Sequence, residues 1–135
     1  MGINMKKMSI FENRLFEFLE LQNIPFQREY KNETLINENG YHLYIDFLLP
    51  DFNIAIEVNG LHHYEAVDTY KGNAEYKFQR QLMNDKIKRD WCKKNNIKLI
   101  EFDVRDNMKF LFRLIQRRVS KSKSKKNEKF NKKNN

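Results

Sequence analysis

The sequence predicts an α/β fold: a mixed sheet built on an antiparallel meander, in the order helix, strands, helix, strand, helix. Three observations carry this. Asn39-Gly40 and Pro50-Asp51-Phe52-Asn53 are turn signals that bracket an alternating, aromatic-rich run, Tyr41–Leu49. A long stretch from Ala74 to Asn95 holds no Gly or Pro and reads as helix. A short apolar run, Ile97–Phe102, then separates it from a second helical stretch.

The elements follow in order. Ser9-Ile10-Phe11-Glu12 has the form of a capping box, with Phe11, Leu15, Phe18 and Leu19 recurring at helical spacing behind it. This helix should end near Asn23, before Pro25. Pro25–Tyr30 alternates, and Thr34–Ile36 is a second short apolar stretch; either or both read as strand. Tyr41–Leu49 and Ile54–Val58 form a hairpin across Pro50–Asn53, and Asn59-Gly60 closes it. Asn95-Asn96 stops the long helix. Asp106 is the expected cap of a last helix reaching Val119.

At 135 residues the chain fits one domain, and 11 Phe, 6 Tyr and 1 Trp suffice for a core, which excludes a wholly disordered chain. No apolar run approaches the roughly 18 residues of a membrane span. The first eight residues lack the apolar stretch of a secretory signal. The single cysteine, Cys92, excludes an internal disulfide and a cysteine-based zinc site and reads as a small core residue. A reducing cytosol is the expected compartment.

The formal charge of +8 is unevenly placed. Residues 117–135 hold nine bases and one acid, Glu128, whereas residues 1–116 hold 17 of each sign. The chain therefore divides into a neutral domain, 1–116, and a basic, low-complexity tail, 117–135, expected to be flexible or to order on a partner. Arg117, Arg118, Lys121, Lys123, Lys125 and Lys126 are the expected nucleic-acid contacts, and neutralising phosphates would make binding salt-dependent.

The hairpin carries the chemistry. With Pro50–Asn53 as a four-residue loop, Leu49 pairs with Ile54, Phe47 with Ile56 and Ile45 with Val58. Leu43, Ile45, Phe47, Leu49, Ile54, Ile56 and Val58 then share one apolar face. The same register sets Asp46 opposite Glu57 on the other face, with Asn59 opposite Tyr44. Facing carboxylates repel by up to about 1 kcal/mol. A divalent cation would convert that repulsion into binding, since hard oxygens are what Mg²⁺ takes. His62 and His63 follow within a few residues, and Gly60 lets the chain turn back; His63 is the preferred general base or water-positioning group.

The pattern Ile45-Asp46-Phe47, Ile56-Glu57-Val58-Asn59-Gly60 and His63-Tyr64 resembles the PD-(D/E)XK nuclease superfamily. The likeness is to the branch of very-short-patch-repair endonucleases and of phage and mobile-element homing endonucleases. Glu12, Asn84-Asp85-Lys86-Ile87-Lys88 and Ile97–Glu101 follow the same order, so the likeness covers about residues 9–103. It implies a single restriction-endonuclease-like domain and Mg²⁺-dependent (or Mn²⁺-dependent) hydrolysis of DNA phosphodiesters in a bacterial or phage-infected cell. Asp46, Glu57 and the Val58 carbonyl would hold the metal; Glu12 would join them if its helix packs near the active face, although it also serves as the capping-box acid.

One departure is chemical. The lysine usual two positions after the second acid is Asn59 here, so His63 and Lys88 become the candidate bases, while Asn59 can donate to the phosphate. On the long helix, Tyr76, Met83, Ile87 and Trp91 form one stripe; Phe78, Leu82, Asp85, Arg89 and Cys92 form another. Asp85 and Arg89 are spaced to pair, with Gln81 and Lys88 flanking. Three arrangements stay open: nicking one strand, cutting both as a homodimer, or borrowing specificity from a protein partner. The rival function is a catalytically weakened nuclease-fold module that only binds DNA.

Overall fold

A computed structural model of the chain describes residues 8–60 and 74–134, with side chains as far as Lys123. Helix α1, Ile10–Leu21, starts on the expected capping box: the Ser9 hydroxyl accepts the Glu12 N–H at 3.2 Å, and the Glu12 carboxylate accepts the Ser9 N–H at 3.5 Å. The chain leaves the helix through Asn23, whose φ of 54° is left-handed. Strand β1 is one continuous element, Gln27–Ile36, where two shorter pieces were expected. Its register against the next strand shifts between Lys31 and Ile36. Within that irregularity the Asn32 side chain accepts both the N–H and the hydroxyl of Thr34, at 3.0 and 2.7 Å.

The Asn39-Gly40 turn leads into β2, His42–Leu49; Gly40 sits at φ 83°, and the Asn37 side chain accepts the N–H groups of Asn39 and Tyr41. The Pro50–Asn53 loop leads to β3, Ile54–Asn59, through a left-handed Asn53. Phe47 pairs with Ile56, Leu48 with Ala55 and Leu49 with Ile54, the expected register. Helix α2, Ala74–Lys94, then crosses over to β4, Lys98–Asp103, which runs parallel to β3 from Ile54–Lys98 to Asn59–Asp103. The four strands lie in the order β1-β2-β3-β4, an open mixed sheet.

Each face has its own core. Phe47, Leu49, Ile54, Ile56, Ile100 and Phe102 pack against α1 (Leu15, Leu19) and the last helix, α3, Met108–Asn134 (Leu111, Ile115, Val119). The other face packs Leu35, Leu48 and Ala55 against Trp91 and Cys92 of α2, and the Trp91 indole N–H donates to the Thr34 hydroxyl at 2.8 Å. Among the described residues no helix is long and apolar enough to cross a membrane.

Several expectations are corrected. Ile45 and Leu43 leave the Phe47 face and join the α2-side cluster. The paired ladder between β2 and β3 stops at Phe47–Ile56, and Ile45 is held instead by Tyr30 of β1. Glu29, between the Arg28–Phe47 and Tyr30–Ile45 pairs, has a φ of 48°, which breaks the pleat there. Tyr44 pairs with Lys31 of β1, not with Asn59, which pairs with Asp103 of β4. The N-terminal turn of α3 is capped by Asn107, whose side chain accepts the Lys109 N–H at 2.9 Å, rather than by Asp106. The helix does not end at Val119 but continues to Asn134, because nothing between the two is Gly or Pro and lysine favours helix.

Phe47 is fully buried where β2 meets both α1-side aromatics and β3, with its ring 5.9 Å from that of Phe26. Phe47→Ala should cost about 3–5 kcal/mol. Tyr44→Ala, at a half-exposed position on the same strand, should stay within about 1 kcal/mol. Urea denaturation of the two variants checks the contrast.

Candidate functional site

Beyond the Phe47–Ile56 pair the two hairpin strands are joined by side chains. The Asp46 N–H donates to Glu57 Oε1 at 3.1 Å, and the Val58 N–H donates to Asp46 Oδ2 at 2.9 Å. Each carboxylate thus takes up a backbone donor of the opposite strand, and the two acids face one another as the register requires. Those N–H groups would otherwise be strand donors without a ladder partner, and charge-assisted bonds are the strong way to satisfy them.

Lys88 completes the cluster. Its Nζ lies 3.2 Å from Glu57 Oε2, and the two side chains are only 13% and 7% exposed. The helix explains the reach: Trp91 and Cys92 anchor the C-terminal half of α2 on the sheet, and Lys88 lies one turn earlier on the same helix. Burial pushes the Glu57 carboxyl up to about 7; the Lys88 ammonium opposes that rise, and the Asp46 charge adds to it. The Cys92 thiol below is raised to about 11, first by burial and then by the negative charge of Glu57. It is a buried core residue, as expected.

The neighbours are a second ring of polar contacts. Asp85 is buried and accepts from the Gln81 amide at 3.1 Å. Arg89 does not turn to Asp85 in a helical pair; it forks onto Glu101 of β4, at 2.8 and 2.9 Å. That partner is distant in sequence, and only the parallel β3–β4 pairing, which sets Glu101 beside Glu57, reveals it. Asn59 is buried at the end of β3 beside Asp103, which is clasped by Arg105. Val104 donates its N–H to the Asn59 carbonyl at 3.1 Å, tying the loop after β4 to this end of the sheet. Val58 places its carbonyl between Glu57 and Asn59.

The structure does not gather every predicted residue. Glu12 is engaged at the Ser9 cap, and α1 packs on the sheet face opposite α2, away from Lys88. His62 and His63 lie outside the described residues. Arg117, Arg118, Lys121 and Lys123 are exposed on α3, and Lys125 and Lys126 continue on the same helix, their side chains outside the described set. Among the described residues no three His, Cys, Asp or Glu side chains come together as a metal cage. The hard oxygens that this end of the hairpin could offer a cation are the two carboxylates and the Val58 carbonyl.

No protein-family model matches the sequence. The chain is similar to uncharacterized protein 307L of Invertebrate iridescent virus 6, with 34% identity over 85 residues, 61% of this chain. The chain spans 43% of that protein's length.

The raised Glu57 carboxyl makes a signed prediction. Unfolded, the group ionises near 4.5; folded, it keeps its proton until about 7. Between those values the folded state binds more protons, so stability falls as pH rises and levels off above about 7. In EDTA the protein should lose on the order of 2 kcal/mol of stability between pH 5 and 7.5. Glu57→Gln should flatten that limb, as thermal melts across the range would show.

Proposed function

We propose that the protein is a Mg²⁺-dependent DNA endonuclease with a restriction-endonuclease-like domain. The observation that carries this reading is the Asp46–Glu57 pair with Lys88 against Glu57, at the end of a hairpin whose register brings the acids together. A purely structural role accounts poorly for it. Two facing acids, one nine-tenths or more buried and pushed up to about 7, cost stability in a protein with no use for a cation. The open sheet with helices on both faces has the order of elements that the nuclease resemblance implies.

The donors fit a hard divalent cation. Mg²⁺ is commonly held by one or two carboxylates, with water and substrate phosphate completing its shell. Asp46, Glu57 and the Val58 carbonyl supply three hard oxygens. Among the described residues Asp46 commits one oxygen to the Val58 N–H and leaves the other without a hydrogen bond. When bound, such a cation polarises the phosphate and acidifies a coordinated water.

The remaining work falls to the chain's own groups. Lys88 carries the positive charge that Asn59 lacks. It arrives from α2 instead of from β3, and with Glu57 committed to a cation its ammonium is placed to meet a phosphate oxygen. The Arg89–Glu101 fork ties that side of α2 to β4, and Gln81 bonds Asp85 along the helix. Asn59 would donate to the phosphate, and His63 is the proposed proton acceptor.

A second reading, a module that binds DNA without cutting it, draws on Asn59 in place of the usual lysine. Lys88 weakens that objection by bringing an ammonium to the same acid. Purified protein should nick or cut plasmid DNA with Mg²⁺ and not with EDTA. Asp46→Ala and Glu57→Ala should fall to the EDTA background, and Lys88→Met should lose about 10²–10³-fold in rate. DNA binding with no metal-dependent cleavage of any DNA form would favour the module instead.

A further inference from the structure

The two edges of the sheet differ. In the order β1-β2-β3-β4, β1 and β4 each have a single neighbour among the described residues. An open edge offers unpaired N–H and C=O groups to another chain, and folded proteins commonly break it with a bulge or a charge. β1 is broken in this way: Glu29 has a φ of 48°, and the register shifts between Lys31 and Ile36. β4, Lys98–Asp103, is not. It holds no Gly or Pro and keeps an unbroken parallel register with β3, from Ile54–Lys98 to Asn59–Asp103. Its central charge, Glu101, is already matched by Arg89, and Lys98 and Asp103 stand at its two ends. The Lys98 N–H donates to the Asn53 carbonyl at 2.8 Å and the Val104 N–H to the Asn59 carbonyl at 3.1 Å, which fixes the phase of the ladder. Lys98, Ile100 and Phe102 turn their backbone groups to β3, so Leu99 and Glu101 turn theirs outward.

Exposed apolar side chains flank this edge on both faces. Phe112 of α3 stacks on Phe18 of α1 at 4.2 Å, so the other flank of α3, with Phe110 and Leu114, is turned away from α1 and towards the β4 side. Those two are 66% and 37% exposed. On the opposite face Arg89 overhangs β4 to reach Glu101, and Leu82, 41% exposed, lies nearly two turns earlier on the same flank of α2. We infer that β4 pairs with β4 of a second copy of this chain, antiparallel about a two-fold axis. The strand suits its own copy in charge: antiparallel pairing brings the basic start of each β4 towards the acidic end of the other. Outward residues must meet outward residues, which leaves two centred registers. One sets Glu101 against the partner's Glu101, and like charges directly opposite are destabilising. The other sets Leu99 against the partner's Glu101, with Ile100 on the axis and four N–H···O bonds across it, and is the register assigned.

The pairing stands without the proposed activity, but it has a consequence that rests on that reading. Glu57 is the register partner of Glu101, one residue from the axis. A two-fold axis perpendicular to the sheet therefore puts both acid pairs on one face, with the two Glu57 backbones about 16 Å apart in a flat eight-stranded sheet. Of the three arrangements open to a nuclease domain, this one supplies an acid set for each strand of a duplex.

The test is analytical ultracentrifugation of the full chain in EDTA, without DNA, from low micromolar to submillimolar concentration. The mass should rise from the 16.5 kDa of one chain to twice that value. Leu99→Pro removes an outward N–H that β3 does not use, and should leave a monomer. Phe110→Glu with Leu114→Glu changes only exposed positions and should weaken the dimer about 10²-fold. Circular dichroism checks that both are folded; if Leu99→Pro is not, the double variant decides. On oxidation Ile100→Cys should cross-link to its own copy, whereas Glu101→Cys and the wild type, whose Cys92 is buried, should not. A wild-type chain that stays monomeric throughout would overturn the pairing and leave the edge to an extended segment of another protein. A dimer undiminished in both folded variants would place the contact elsewhere and overturn the edge. Cross-linking of Glu101→Cys in place of Ile100→Cys would overturn the register. Asp46→Ala should dimerise as the wild type does, so an inactive acid pair is told apart from a failed interface.

Discussion

Where the β2–β3 ladder stops, two side chains continue it. Asp46 and Glu57 each accept a backbone N–H from the facing strand, and those two bonds keep the hairpin closed for one more residue pair. The arrangement sets up the rest of the site. It satisfies the strand donors, so the acids stay on the sheet instead of turning to water. It also presses two negative charges together in a place that Leu48, Ala55 and α2 make dry. Lys88 answers one of the charges, and the helix bearing it is held by Trp91 and Cys92 on the sheet. Packing and electrostatics are therefore coupled: moving α2 from the sheet would break the Lys88–Glu57 pair together with the packing of Trp91 and Cys92.

The same constraint explains why the ion pair is not simply a stabilising contact. Desolvation outweighs the help from Lys88, and Glu57 remains well above the ordinary carboxylate range. A hydrophobic pair of similar size would hold the hairpin at less cost. On the proposed reading the charged set provides a group that could change partner: Lys88 holds Glu57 here and would become available if a cation took its place. Position 59 on β3 is Asn, and the ammonium that meets Glu57 comes from α2 instead.

Much of this was legible in the sequence, for local reasons. Ser9 and Glu12 are three residues apart, and a capping box needs nothing more. The Pro50–Asn53 turn fixes a four-residue loop, and from that the Asp46–Glu57 opposition follows by counting. What escaped depends on contacts across the fold. Ile45 changes cores because the strands separate beyond Phe47, which alternation alone cannot reveal. Arg89 has Asp85 within helical reach but bonds Glu101, whose position is set by a parallel pairing that no local pattern announces. Lys88 was a candidate on grounds of likeness and charge; its contact with Glu57 required the packing of α2.

The basic segment, read from composition as a tail, lies within α3, which runs to Asn134. Lysine, serine and asparagine in long runs look like a solvated tail, and composition discards order. In α3 the order matters, because the helix carries Lys109, Arg113, Arg117 and Lys121 one turn apart on its exposed side. The neutral domain and the basic segment are then parts of one geometry. The parallel β3–β4 pair brings Glu57, Asn59 and the root of α3 to the same end of the sheet. The acid pair and the basic helix share that end of the sheet but belong to opposite faces: Lys88 reaches Glu57 from α2, while α3 packs with α1 on the other face.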